Sequence, residues 1–150
     1  MRILGVDPGV SGGYAMLDSG AVVEIDDLPV VNKQINAAHW RHVVERLEPE
    51  VAVVEDVHSM PKQGVASTFK FGMAVGLIRG VLIGAGVPII SVAPTVWKKF
   101  HHLIGDDGEK ARALAISRFP RLEGLARKRD HNRSEALLIA LWHWHADDPV

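Results

Sequence analysis

This sequence predicts a mixed α/β sheet with helices packed on its faces. Three observations predict it. Three short apolar runs before residue 30 are separated only by turn residues, the pattern of an antiparallel meander. Two later runs, 51–54, which is continuously apolar, and 89–92, apolar but for Ser91, read as buried strands. Helical segments lie between and after those runs, giving the order β-β-β-α-β-α-β-α-α.

Each element has a local cause. Residues 1–6 form an apolar strand that ends at the turn Asp7-Pro8-Gly9. Residues 12–17 and 21–28 form two more strands, with Asp18-Ser19-Gly20 as the hairpin turn. Residues 36–48 form an amphipathic helix: Ala37, Trp40, Val43, Val44 and Leu47 share one face, and Pro49 stops it. The run 51–54 is a central strand delivering Glu55 at its C-terminal end. Residues 64–86 read as a long helix and 89–92 as another strand. Pro94 opens a short helix carrying Trp97, Lys98 and Lys99. Asp107 is placed to cap a helix running to Phe119, before Pro120. The last helix runs from about residue 134 to residue 145.

At 150 residues, 47% hydrophobic and 23% charged, the chain suits one domain over 1–150, with no repeat or linker to divide it. The net charge of −1 gives no global sign of a polyanionic partner. Locally, however, Arg121, Arg127, Lys128, Arg129 and Arg133 stand against only Glu123 and Asp130. That stretch fits a phosphate-binding patch or a solvated loop. With no cysteine, disulfides, thiolate zinc sites and cysteine nucleophiles are excluded, and a reducing interior fits. The first residues lack the pattern of a signal peptide. Residues 71–90 have the length of a membrane span, but Arg79, five glycines and Pro88 argue instead for a buried helix followed by a strand.

Three acids need a chemical reason for where they stand. Asp7 and Glu55 each end a buried strand, and Glu135 opens the apolar helix Arg133-Ser134-Glu135-Ala136-Leu137-Leu138-Ile139-Ala140. A carboxylate at the edge of an apolar element is costly unless neutralised. Three drawn to one sheet edge repel one another. A hard cation such as Mg2+ relieves that, because it prefers carboxylate oxygen and water. Two such ions, about 4 Å apart, can clamp a phosphodiester, one activating water and the other stabilising the leaving 3′ oxygen. No covalent nucleophile is required, which agrees with the lack of cysteine and of a Gly-x-Ser-x-Gly elbow. Plainer readings stay open: Asp7 as a turn initiator, Glu55-Asp56 as a strand ending in solvent, Glu135 as a first-turn acid on the helix dipole, Asp130 as a cap.

These segments resemble the RuvC Holliday-junction resolvases of the ribonuclease H-like superfamily. Ile3-Leu4-Gly5-Val6-Asp7-Pro8-Gly9 is similar to the first family motif and Val53-Val54-Glu55-Asp56-Val57 to the second. Ser134-Glu135-Ala136-Leu137-Leu138-Ile139-Ala140-Leu141-Trp142-His143 is similar to the C-terminal helix motif. The motifs occur in order, at family spacing, across nearly the whole chain. The resemblance implies a ribonuclease H-like fold with a mixed five-stranded sheet. It implies a cytoplasmic, bacterial or phage-encoded crossover junction endodeoxyribonuclease of DNA recombination and repair. Its cofactor would be Mg2+, with Mn2+ able to substitute, as a pair of ions in each site. Its substrate would be branched DNA, a four-way junction cut on opposed strands to leave 5′-phosphate and 3′-hydroxyl ends.

By the same resemblance Asp7, Glu55 and Glu135 are metal ligands, Glu135 standing where the family normally has Asp. The family carries an acid, or sometimes His, three residues before the last ligand, and here that residue is Asn132. Asp130 is the favoured fourth ligand because hard cations prefer oxygen. His131, four residues from Glu135, is the second choice, as ligand or as base for the attacking water. Lys110 matches a lysine near the scissile phosphate. Lys98, Lys99, Arg127, Lys128, Arg129 and Arg133 are candidate backbone contacts, beside a Trp97 that reads as a core anchor. His58 stands where the family often places a wedging aromatic, and equally fits a plain loop histidine.

Gly72, Gly76, Gly80 and Gly84 recur every four residues. Glycine costs roughly 1 kcal/mol per helical site, so the stripe needs a backbone packed closely against it. That partner is either the protein's own sheet or, as the favoured reading, the same helix in a homodimer whose two-fold symmetry suits a junction. Two other functions stay open. The segment from Gly5 to Gly13 also resembles the first phosphate loop of actin-like ATPases and sugar kinases, which need two such domains. Asn132 in an acid position leaves room for a module that binds branched DNA without cutting it.

Overall fold

Strand β1 (Arg2–Asp7) becomes the centre of the sheet because both its edges find partners. The computed structural model describes residues 1–58 and 61–147. Antiparallel to β1 runs β2 (Gly13–Asp18), which turns through Ser19 and Gly20, both at positive φ, into β3 (Ala21–Asp27). A small hairpin follows, β4 (Val30–Val31) and β5 (Gln34–Ile35), absent from the sequence expectation. Its turn residues Asn32 and Lys33 both take positive φ, 50° and 59°.

Helix α1 (Ala37–Leu47) is capped by Asn36, whose side chain accepts from the His39 amide at 3.1 Å. Strand β6 (Val51–Glu55) then pairs parallel with β1 on its free edge. Helix α2 (Val65–Gly84) crosses to β7 (Ile89–Val92), parallel to β6, so the five-stranded order is β3-β2-β1-β6-β7. Helices α3 (Pro94–Phe100) and α4 (Glu109–Arg118) follow, then a 3-10 turn (Lys128–Asp130) leading directly into α5 (His131–Ala146). The cap of α4 differs from the expected Asp107. Asp106 accepts from the amides of Gly108, Lys110 and Ala111, while Asp107 accepts only from Glu109.

Strand alternation sends side chains to two cores. Leu4, Val6, Met16, Ala52 and Val54 meet α1 and α2. Ile3, Ala15, Leu17, Val53 and Val92 meet α5, with Trp97 of α3 and Ala111 and Ala115 of α4. The inner strands β1, β2 and β6 are therefore covered on both faces, whereas β7, expected as a buried strand, is an edge strand in which only Val92 is buried.

One expectation is corrected here. Helix α2 is not buried: only Ala74, Ile78 and Leu82 are, on the face towards α1, where Trp40 Nε1 donates to the Ile78 carbonyl at 3.2 Å. By length and hydropathy α2 matches a membrane span, yet it forms a layer of this domain, and Arg79 reaches back to the Ser91 hydroxyl at 3.1 Å. A Cβ added at Gly72, Gly76, Gly80 or Gly84 would meet nothing within 4 Å. The stripe does not pack on the protein's own sheet.

Candidate functional site

The strand register builds the first half of the site. Val6 lies opposite Val54 on parallel strands, so Asp7 and Glu55 follow as neighbours at adjacent C-terminal ends. Side chains two or four residues apart share a face. Ile3 and Val53 face α5, and parity therefore turns Asp7 and Glu55 towards α5 as well.

The second half depends on how closely α5 approaches. A Cβ at Gly5 would overlap the Ala136 carbonyl oxygen, and one at Gly13 would lie 3.0 Å from the Arg133 nitrogen and the Asn132 carbonyl. Helix backbone thus lies on strand backbone, and Glu135, next to Ala136, is delivered to the same sheet edge. Glycine in an apolar strand is a recognised sign of close backbone approach, and it was the signal available at Gly5.

Electrostatics join the three acids. Burial pushes Asp7 well above the usual carboxylate range, and the charges of Glu135 and Glu55 push it further. Glu55, only 8% exposed, is raised by burial, against a hydrogen bond from Trp97 Nε1 at 2.8 Å and the charge of Lys98. Glu135 is raised by burial, opposed first by Lys98, whose ammonium stands 3.8 Å from its carboxylate. Lys98 is the cation common to all three. It is therefore set among the acids rather than spread on an outer surface. Trp97 is the buried anchor that the sequence suggested, and it also orients Glu55, a role the sequence did not reveal.

The fourth-ligand expectation is corrected. Asp130 is 2% exposed, but its carboxylate is taken by the Arg127 amide at 2.8 Å and the Arg127 guanidinium at 2.7 Å. Those bonds and the nearby Arg133 hold it below the usual carboxylate range despite burial. Asn132 also turns elsewhere, to Ser11, Gly12 and Asp27. His131, one helical turn before Glu135, is the residue of the three whose charge acts on Glu135.

Two DNA-contact expectations are corrected with it. Arg133 is bound to Asp27 at 2.8 Å, Asp26 at 3.2 Å and the Gly124 carbonyl at 3.1 Å, so its guanidinium is a structural hub. Arg127 is committed to Asp130. Lys99, Lys110, Lys128 and Arg129 remain exposed, as does His58, 3.8 Å from Asp56.

Three carboxylates, Glu55 buried and Asp7 and Glu135 partly so, with one lysine among them, have the oxygen donors and the excess negative charge that a hard cation satisfies. Among the described residues, no group of three His, Asp or Glu side chains is already closed to ligand spacing. The donor chemistry fits a divalent ion, while the enclosure is not preformed.

No family model matches the chain. A curated relative does: the crossover junction endodeoxyribonuclease RuvC of Chloroflexus aggregans is 29% identical over 157 residues, covering 95% of this chain and 92% of that protein. This chain is similar to RuvC. The likeness extends to the fold. RuvC of Thermus thermophilus superposes with a TM-score of 0.72 at 23% identity, over 98% of this chain and 96% of that one. The same RuvC in complex with a Holliday junction substrate superposes with a TM-score of 0.71 at 20% identity, over 98% and 96% of the two chains. The chain thus has the ribonuclease H-like fold of these structures, and its mixed five-stranded sheet is the one expected.

Proposed function

We propose that this protein is a structure-selective DNA endonuclease, one nuclease domain that resolves four-way junctions by paired phosphodiester hydrolysis. The observation that carries the reading is the meeting of Asp7, Glu55 and Glu135 in one electrostatic site at the strand ends of a RuvC-like fold. Two Mg2+ ions, replaceable by Mn2+, are the cofactor of this reading and would supply Lewis-acid activation of water and stabilisation of the leaving oxygen. Asp7, Glu55 and Glu135 would hold them.

The chain's own groups do the rest. Trp97 fixes the rotamer of Glu55 through its indole N–H. Lys98 offsets the charge of the acids and stands ready for a phosphate oxygen. His131 takes the place proposed for Asp130, as a donor to the cation or as acceptor of a proton from the attacking water. Lys99, Lys110, Lys128 and Arg129 are the exposed cations left to grip the sugar–phosphate backbone. The products are 5′-phosphate and 3′-hydroxyl ends, and the setting is the cytoplasm.

A homodimer fits this reading. The open face of α2 carries four glycines with exposed Phe69 and Ile83, an apolar surface that a second α2 would cover. The functional test is incubation of a synthetic four-way junction with Mg2+, mapping nicks on opposed strands. Wild type is expected to nick symmetrically. Asp7→Asn and Glu55→Gln are expected to lose several kcal/mol of transition-state stabilisation, about 10³-fold in rate. Tight junction binding without nicking in Mg2+ or Mn2+ would replace the enzyme by a binding module.

A further inference from the structure

Asn132 lies in the first turn of α5 and is 6% exposed. Its side-chain nitrogen faces three acceptors: the Ser11 carbonyl at 3.1 Å, the Gly12 carbonyl at 3.0 Å and the Asp27 carboxylate at 3.1 Å. Its side-chain oxygen accepts from the Arg133 amide at 2.9 Å. Donors and acceptors are thus sorted to the two ends of one amide.

Those partners belong to three separate pieces of chain. Ser11 and Gly12 close the turn that begins at Asp7, where the Gly12 amide donates to the Gly9 carbonyl at 3.0 Å. Asp27 ends β3, and the next residue, Leu28, donates its amide to the same Gly12 carbonyl at 3.0 Å. Asn132 itself is three residues before Glu135. The two sides of the site, Asp7 on the sheet and Glu135 on the helix, are therefore stapled by one side chain 121 residues away from Ser11.

We propose that Asn132 is a positioning residue for the nuclease reaction: its amide locks the turn after Asp7 onto the first turn of α5. The locked turn holds Asp7 at a set separation from Glu135. The requirement is for a donor. An isosteric aspartate would present negative charge to two carbonyls and to Asp27 in a buried pocket, where an unpaired charge costs most. Asp27 is already held below the usual carboxylate range by Arg133 first, with Asn132 assisting against the cost of burial. Asn132 therefore acts through Asp7 and Glu135.

The catalytic part of this inference rests on the proposed nuclease function; the mechanical part does not. The experiment compares wild type, Asn132→Ala and Asn132→Asp at a temperature where circular dichroism shows all three folded. Amide hydrogen exchange is followed in 8–13 and in β6, and junction cleavage is resolved into kcat and KM. Exchange in 8–13 is expected to quicken about tenfold or more in both variants, with β6 unchanged. The turnover kcat is expected to fall about 10- to 100-fold with KM little changed, in the order wild type, Ala, Asp. Asn132→Ala adds no charge, and it carries the comparison if Asn132→Asp does not fold. Unchanged exchange in 8–13, or an Asn132→Asp protein that cuts as fast as wild type, overturns the inference. A wild type that cuts no junction overturns the nuclease reading and the catalytic part here, while the exchange result decides the staple independently.

Discussion

Gly5 and Gly13 lie buried beneath α5, where an added Cβ would strike backbone. Gly72, Gly76, Gly80 and Gly84 line α2, where an added Cβ would strike nothing within 4 Å. The first set has no helical period, and it lets a helix settle directly on the sheet. The second set is periodic, and among the described residues no other element comes within 4 Å of a Cβ added there. Periodicity reports which residues share a face; it is silent on what that face meets. The irregular glycines assemble the acids within one chain, and the regular ones leave a surface suited to a second.

The largest effect expected from this contrast is at Gly5. In Gly5→Ala the new Cβ meets the Ala136 carbonyl, which cannot rotate away, so α5 must lift. Overpacking of this kind costs about 3 kcal/mol or more when backbone has to move. The measurement is the denaturation midpoint at constant m-value, and wild-type stability would show that α5 does not rest on β1.

The seam between α3 and α5 gives the next effect. His101 is buried, donates Nε2–H to the Leu138 carbonyl at 2.8 Å, and leaves its buried Nδ1 without a partner. Burial lowers its pKa from 6.5 to about 4, with Arg118, His145 and His102 adding repulsion. Below 6.5 the unfolded chain binds a proton that the folded chain refuses. The stability of this group is complete above 6.5 and is lost as pH falls through 6.5 towards 4, by roughly 3 kcal/mol. Asp7, Glu55 and Glu135 have the opposite sign, since their raised values favour the folded state as they protonate. Comparing thermal unfolding of wild type and His101→Gln between pH 4 and 7 cancels that shared contribution. Parallel curves would remove His101 from the account.

The smallest effect, and the one that most sharpens the contrast, is at Gly76. In a dilute monomer Gly76→Ala should stabilise by up to about 1 kcal/mol, because a helical glycine is replaced in open space. If α2 faces a second α2, the same change should weaken self-association in sedimentation equilibrium. Added stability with association unchanged would place the dimer interface elsewhere.

Much of the fold was legible because it is written in local patterns. The strand Ile89–Val92 falls where it was expected, and Asp7 and Glu55 could be read as strand ends. The hairpin at Val30–Ile35 was not legible, since strands of two residues carry no period. Asp130 was chosen for the chemistry of its oxygen, but Arg127, three residues away, competes for that oxygen and wins. The bonds from Trp97 to Glu55 and from Asn132 to Ser11 join residues 42 and 121 positions apart, and no local pattern announces such pairings. Glu135 was legible as an acid out of place; its nearness to Asp7 required the packing that Gly5 and Gly13 permit.

The central claim is that acids distant in sequence act together on a hard cation. Its most direct test is Mn2+ binding followed by electron paramagnetic resonance in wild type, Asp7→Asn and Glu135→Gln, all without DNA. Wild type should bind Mn2+, and each substitution should weaken binding at least about tenfold, since loss of even an outer-shell partner costs that much. Equal Mn2+ affinity in all three proteins would contradict the account.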